Sequence, residues 1–182
     1  MKTTSDILLI DVETTCVDPL KHACIEIGAI LLDHDLNPIR EYSTYIAPWE
    51  GAEIQPEAMA VNGISPCDLE RAPTIQQVVE QFDCIFQPET RRLFLSGWNV
   101  WFDVGFLRVL YGKAGRRWPF RSRMLDLQSI VTFHSQLVPQ SQAETAKRYL
   151  NEEQSHRALG DVQQTAKILK LFTEKFGTSK ME

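Results

Sequence analysis

The 182 residues carry a net charge of −5 and an ordinary globular balance, 43% hydrophobic and 24% charged. A chain of this size buries a sizeable core without staples and reads as one domain, and its acidity argues against broad adhesion to nucleic acid or anionic membrane while leaving room for a local basic site. Cys16, Cys24, Cys67 and Cys84 lack the spacing of a zinc site, and no segment is long and apolar enough to span a bilayer, so the expected setting is cytoplasmic, with reduced thiols and no membrane partner.

The first predicted element is a buried strand over residues 6–12, where Ile7-Leu8-Leu9-Ile10 leads into Asp11-Val12-Glu13-Thr14-Thr15. A second apolar run covers 23–33 and is interrupted by Glu26. A buried carboxylate needs a partner, so Glu26 is expected to be a paired structural acid rather than a metal ligand. A turn at 33–38 leads to a third strand over 39–47, and the short connections predict an antiparallel start to the sheet. Residues 48–72 read as irregular apart from one short helix from Pro56, capped by Gly63. The stretch 74–86 predicts an amphipathic helix with Val78, Val79, Phe82 and Ile85 on one face. A buried strand follows at 94–98, then a helix over about 100–111 with Asn99 as its N-cap. A short strand at 123–125 precedes a helix that Asp126 caps, and Ser141 with Glu144 forms a capping box for a helix over 141–150. The last helix is expected over 158–176, with 176–182 as a loose tail. Strands first and helices alternating later predict a mixed sheet with helices on both faces.

Chemistry concentrates at three places. Asp11 and Glu13 are two apart on a strand and so share a face. Paired carboxylates repel unless a cation lies between them, and a hard divalent ion such as Mg²⁺ or Mn²⁺ suits oxygen ligands. A strand that simply ends in a polar loop fits this stretch equally well. Asp103 follows a strand that enters a helix, where it also fits as an acid complementing the helix dipole. His156 and Asp161 open the last helix; at five apart they meet one ligand only if His156 lies in the entry loop. An ordinary surface histidine is the plain alternative. Sites in open α/β sheets form beyond strand ends, where Asp11, Glu13 and Asp103 can meet.

Asp11 to Thr15, Asn99 to Asp103 with Gly105-Phe106-Leu107, and His156-Arg157-Ala158-Leu159-Gly160-Asp161 occur in that order. Together they resemble the three motifs of the DEDDh branch of the DnaQ-like 3′–5′ exonucleases. Ile25-Glu26-Ile27-Gly28-Ala29, Pro56-Glu57-Ala58 and Asn62-Gly63-Ile64 extend the likeness from Ile7 to the last helix. The resemblance implies a ribonuclease H-like fold, a mixed five-stranded sheet flanked by helices on both faces, and a single exonuclease domain over 1–182. It implies two divalent cations, Mg²⁺ or Mn²⁺, held by Asp11, Glu13, Asp103 and Asp161, with His156 as general base. It implies a single-stranded nucleic acid 3′ end as substrate, touched by Thr14, Thr15, Phe102, Met59 and Asn62, although core packing of its helix accounts for Phe102 equally well, and it leaves room for a DNA polymerase or other protein partner. Two positions depart from the family pattern. Cys16 replaces the usual glycine after the threonines, and Asn62 stands where polymerase subunits carry a Val-His-Gly pattern, which bears on base or sugar contacts.

From Val104 to Leu125 there are six basic residues and no acid. Arg116 and Arg117 are expected to attract strand phosphates, whereas Trp118 and Phe120, lying among them, are expected to cover the core. A phosphatase using Asp11 as nucleophile is a rival enzyme reading, which Glu13 and the His156–Asp161 motif oppose. A non-catalytic nucleic-acid-binding module is the rival outside enzymes, opposed by the presence of all four carboxylates and the histidine. DNA and RNA are not separated.

Overall fold

The computed structural model describes residues 6–176. The tail expected after the last helix lies outside the described residues. The expected mixed sheet is present, with helices on both faces. Its centre is β1 (Asp6–Thr14), flanked by β2 (Cys24–Leu32) and β4 (Leu93–Gly97), with β3 (Pro38–Tyr45) and β5 (Met124–Asp126) at the edges in the order β3-β2-β1-β4-β5. The β1–β2 and β2–β3 pairs are antiparallel, as short connections allow, and the β1–β4 and β4–β5 pairs are parallel.

Strand alternation sorts the β1 side chains into two cores. Leu8, Ile10 and Val12 face α3 (Ile75–Phe86) and α4 (Val100–Lys113). Leu9 faces α5 (Leu127–His134) and α7 (Ala158–Phe176), and Asp11 and Glu13 continue that face by the same period of two. The carboxylates therefore leave the sheet on the side of α7. Among the described residues no helix is long and apolar enough to cross a membrane.

Two local expectations require correction. The irregular stretch contains, besides α1 (Pro56–Asn62), a second short helix, α2 (Pro66–Glu70). Five residues are too few to show a helical period, although Ser65 and Asp68 form a capping box around it. Asn99 does precede α4, but in the left-handed region (φ 54°) and without a side-chain cap. The turn from β4 into α4 takes that conformation, which asparagine tolerates. The first N–H of α4, on Val100, is satisfied by Asp126, which also caps α5 through the Ser129 N–H. The Ser141–Glu144 capping box opens α6 (Gln142–Leu150) as expected, and Gly63 ends α1 in the left-handed region.

Candidate active site

β4 pairs with β1 only as far as Leu9, opposite Ser96, so the last part of β1 projects beyond its parallel neighbour. In the space beyond, the Val12 N–H donates to Oδ1 of Asp103 at 3.0 Å, which draws a buried carboxylate from α4 to the strand end. On the other face of β1, α7 lies directly on β2. Gly28, opposite Asp11 in the register, makes this approach possible, since a Cβ there would overlap the Ala158 carbonyl and the Leu159 nitrogen. Asp161, in the first turn of α7, is thereby delivered beside β1. Asp11, Glu13 and Asp161 each offer a carboxylate oxygen within 4.8 Å of the others.

The loop before α7 orients Asp161 tightly. Its Oδ1 accepts from the Ser155 N–H (3.1 Å) and hydroxyl (2.9 Å), and its Oδ2 accepts from Nε2 of Gln154 (2.8 Å). No sequence spacing announces these contacts. Gly160 leaves room for them, because a Cβ at that position would strike the Ser155 hydroxyl. His156 stands exposed in the same loop with a left-handed backbone (φ 52°). His156 and Asp103 are outside the compact trio, although Asp103 is the carboxylate whose charge acts most strongly on Asp11.

The electrostatics are those of crowded acids. Loss of solvation pushes the Asp11 carboxyl well above its usual range, and the charges of Asp103, Glu13, Asp161 and Glu26 push it further. Burial, then Asp161 and Glu26, raises Glu13 to about 8, with Arg157 opposing the rise. Burial likewise raises Asp103, against the hydrogen bonds it accepts from its own and the Val12 N–H. An all-oxygen donor set whose members resist carrying their charges together fits a hard divalent cation, which removes the repulsion on binding.

Of the residues expected to touch substrate, Thr14, Thr15, Met59 and Asn62 lie where α1 meets the end of β1, and Phe102 lies in the first turn of α4. Thr14 lies at the end of β1, its hydroxyl donating to the Cys16 carbonyl. Thr15 is fully buried; its hydroxyl donates to the Glu53 carbonyl and accepts from the Ala23 N–H, so it pins the loop rather than facing the cleft. Asn62 is buried too, linking α1 to the strand end by donating to the Thr14 carbonyl (3.3 Å) and accepting from the Ile64 N–H (3.0 Å). Met59 packs on a small cluster of Ala23, Ile25, Ile64 and Leu69. Phe102 is half-buried, its ring 5.1 Å from that of Phe106.

Arg116 and Arg117 are not brought to the carboxylates. They follow the C-terminal end of α4, and from Asp103 in its first turn to Lys113 at its end the helix rises about 15 Å. Arg116 faces Asp83 at 3.9 Å. Arg108 lies over the Trp118 ring and Lys113 over the Trp49 ring. Trp118 and Phe120 pack against Tyr111 in the core, as expected.

Comparison with known proteins places this arrangement. Residues 8–169 match the family described as RNase_T, Exonuclease. Ribonuclease T of Haemophilus influenzae (strain 86-028NP) is 31% identical over 179 residues, covering 88% of this chain and 76% of that protein. Ribonuclease T of Escherichia coli (strain K12) is 30% identical over 174 residues, covering 87% and 80%. Among solved structures, the zinc-bound complex of E. coli ExoI with single-stranded DNA superposes with a TM-score of 0.84 at 20% identity, over 96% of this chain. This chain spans only 42% of that enzyme's length. A 3′-exonuclease in a structure of histone mRNA stem-loop recognition superposes with a TM-score of 0.78 at 18% identity, over 96% of this chain and 65% of that one.

Proposed function

The chain belongs to the RNase_T exonuclease family, and from that premise we propose that residues 1–182 form one metal-dependent 3′–5′ exonuclease domain that releases nucleoside 5′-monophosphates from single-stranded DNA or RNA. The observation that carries the reading is the meeting of Asp11, Glu13 and Asp161 from two elements far apart in the sequence. The single-stranded substrate is supported by the oligonucleotide bound to the structurally similar exonuclease I. A cytoplasmic setting fits the four free thiols.

Asp11, Glu13 and Asp161 would hold one divalent ion, Mg²⁺ or Mn²⁺; Asp11 would share a second with Asp103. Two such ions, when bound, stabilise the attacking hydroxide and the leaving 3′-oxygen of a phosphodiester. His156 acts as general base, its imidazole taking the proton of the attacking water. His156 is exposed in the entry loop, next to the Ser155 that orients Asp161, which supports this role. Thr14 and Phe102, at the strand end and the start of α4, flank the terminal nucleotide. Arg117, exposed beyond the far end of α4, attracts phosphates upstream of the 3′ end rather than at it.

The test is hydrolysis of 5′-labelled single-stranded DNA and RNA of matched sequence, with Mg²⁺, with Mn²⁺ and with chelator. A ladder shortening from the 3′ end, dependent on metal and absent in Asp11→Ala, is the expected result. An unchanged label under every metal would overturn the proposal.

A further inference from the structure

Arg157 sits between His156 and the first residue of α7, yet its side chain turns away toward the sheet. Its Nε donates to Oε2 of Glu26 at 3.1 Å and its Nη2 to Oε1 at 2.9 Å. Nη2 also donates to the Tyr45 hydroxyl at 2.7 Å, and the guanidinium carbon lies 5.2 Å from the Tyr45 ring centroid. The Ala158 N–H, at the start of α7, donates to Oε2 of Glu26 at 3.3 Å. Glu26 is only 3% exposed, and these contacts occupy both its oxygens.

The register explains why the cluster lies here. Glu26 is opposite Glu13 in the β1–β2 pair and opposite Tyr45 in the β2–β3 pair. Directly opposed residues share a face, so Glu13, Glu26 and Tyr45 form one row across the sheet, and α7 begins on top of it. Two positions along, Gly28 admits the α7 backbone. Glu26 is buried while about half of the Arg157 side chain stays exposed, and taking the carboxylate out of water offsets much of the pair's attraction. A bidentate guanidinium–carboxylate pair does impose a direction, and a carboxylate at a helix start complements the dipole.

We infer that Glu26, Arg157 and Tyr45 form a positioning clamp for hydrolysis, which seats the first turn of α7 so that Asp161 meets Asp11 and Glu13 and the entry loop that carries His156 is held in place. The inference rests on the exonuclease reading of the cleft. The guanidinium's hydrogen bonds go to Glu26 and Tyr45, and the side chain acts through the backbone on either side of it, Asp161 being tied to that backbone by an N–H bond to the Arg157 carbonyl (3.0 Å).

The experiment compares wild type, Arg157→Met, Arg157→Lys and Tyr45→Phe by three measurements. These are kcat and KM for removal of the 3′ nucleotide from a labelled oligonucleotide, Mn²⁺ affinity by calorimetry without nucleic acid, and thermal midpoint. All are made well below the lowest midpoint. Arg157→Met is expected to lower both kcat and Mn²⁺ affinity by about 10- to 100-fold, the usual effect of removing a group that orients a metal ligand. KM for the strand should stay near the wild-type value. Arg157→Lys, which keeps the charge and loses the fork, should recover only part of the loss, and Tyr45→Phe should lose less than either. Wild-type kcat and Mn²⁺ affinity in Arg157→Met would overturn the clamp. A rise in KM alone would overturn it as well, making Arg157 a strand contact. If wild type hydrolyses nothing under any metal, the exonuclease reading fails separately, and the Mn²⁺ affinities still decide whether Arg157 orients the trio.

Discussion

At the scale of single residues, Glu13 shows how the cleft trades stability for chemistry. Its carboxyl is pushed up to about 8 by burial and then by Asp161 and Glu26. A raised carboxyl means that the folded protein holds a proton which the unfolded chain has already released above about pH 4.5. Glu13's contribution to the stability of the metal-free protein should therefore be fully present below about pH 4.5 and be lost as pH rises through about 8. Glu13→Gln should flatten this decline and abolish metal-dependent turnover, as read by denaturant midpoints in chelator from pH 5 to 9. An equally steep decline in the variant would remove Glu13 as a source of the effect. Asp11 and Asp103, raised in the same direction, account for what slope remains. The chemical type of these residues was legible from sequence because a strand's period of two puts Asp11 and Glu13 together. Thr15 and Asn62 were not legible in the same way. Their polar groups bind backbone atoms of the Glu53, Ala23, Thr14 and Ile64 residues, and side chain-to-backbone bonds of that kind leave no spacing signal.

At the scale of elements, the start of α7 carries the site. Its seat depends on an absent side chain, since the Cβ of Gly28→Ala would meet backbone atoms of Ala158 and Leu159. Backbone cannot rotate aside as a side-chain tip can, so the helix start must shift. Overpacking of this kind costs about 1–3 kcal/mol, and Mn²⁺ affinity should weaken in parallel because Asp161 moves with the helix. Calorimetric unfolding and Mn²⁺ titration of the variant check both, and a stable variant with unchanged affinity would show that α7 is seated by something else. The Ser141–Glu144 box and the Asp126 cap were readable because caps act over three residues. The α2 helix was hidden by its length, and the left-handed turn at Asn99 by its origin, since the path from β4 into α4 sets that backbone rather than any local preference.

At the scale of the whole molecule, metal and fold should be linked. Carboxylates from β1 and α7 approach one another only in the folded chain, so a cation bound to them stabilises that state by mass action, by about 2.7 kcal/mol at a hundred times its dissociation constant. Binding also displaces protons from carboxyls held high, so the stabilisation should grow with pH. Thermal midpoints with Mn²⁺ or chelator at pH 6 and pH 8.5 test this, with the larger difference expected at the higher pH. Equal differences at the two values would mean that the ion binds elsewhere.

By itself the sequence determined the strand that ends in Asp11 and Glu13, most of the helices, the aromatic packing of Trp118 and Phe120, and the family, because these depend on periods, caps and ordered motifs within short stretches. Only the tertiary structure decided that Arg116 and Arg117 lie a helix length from the carboxylates, that Gly28 seats α7, and that Glu26 takes Arg157 as its partner. Residues 26 and 157 share no local pattern. They meet because the β1–β2–β3 register sets Glu13, Glu26 and Tyr45 in one row and α7 returns over it, a relation that exists only once distant segments have packed.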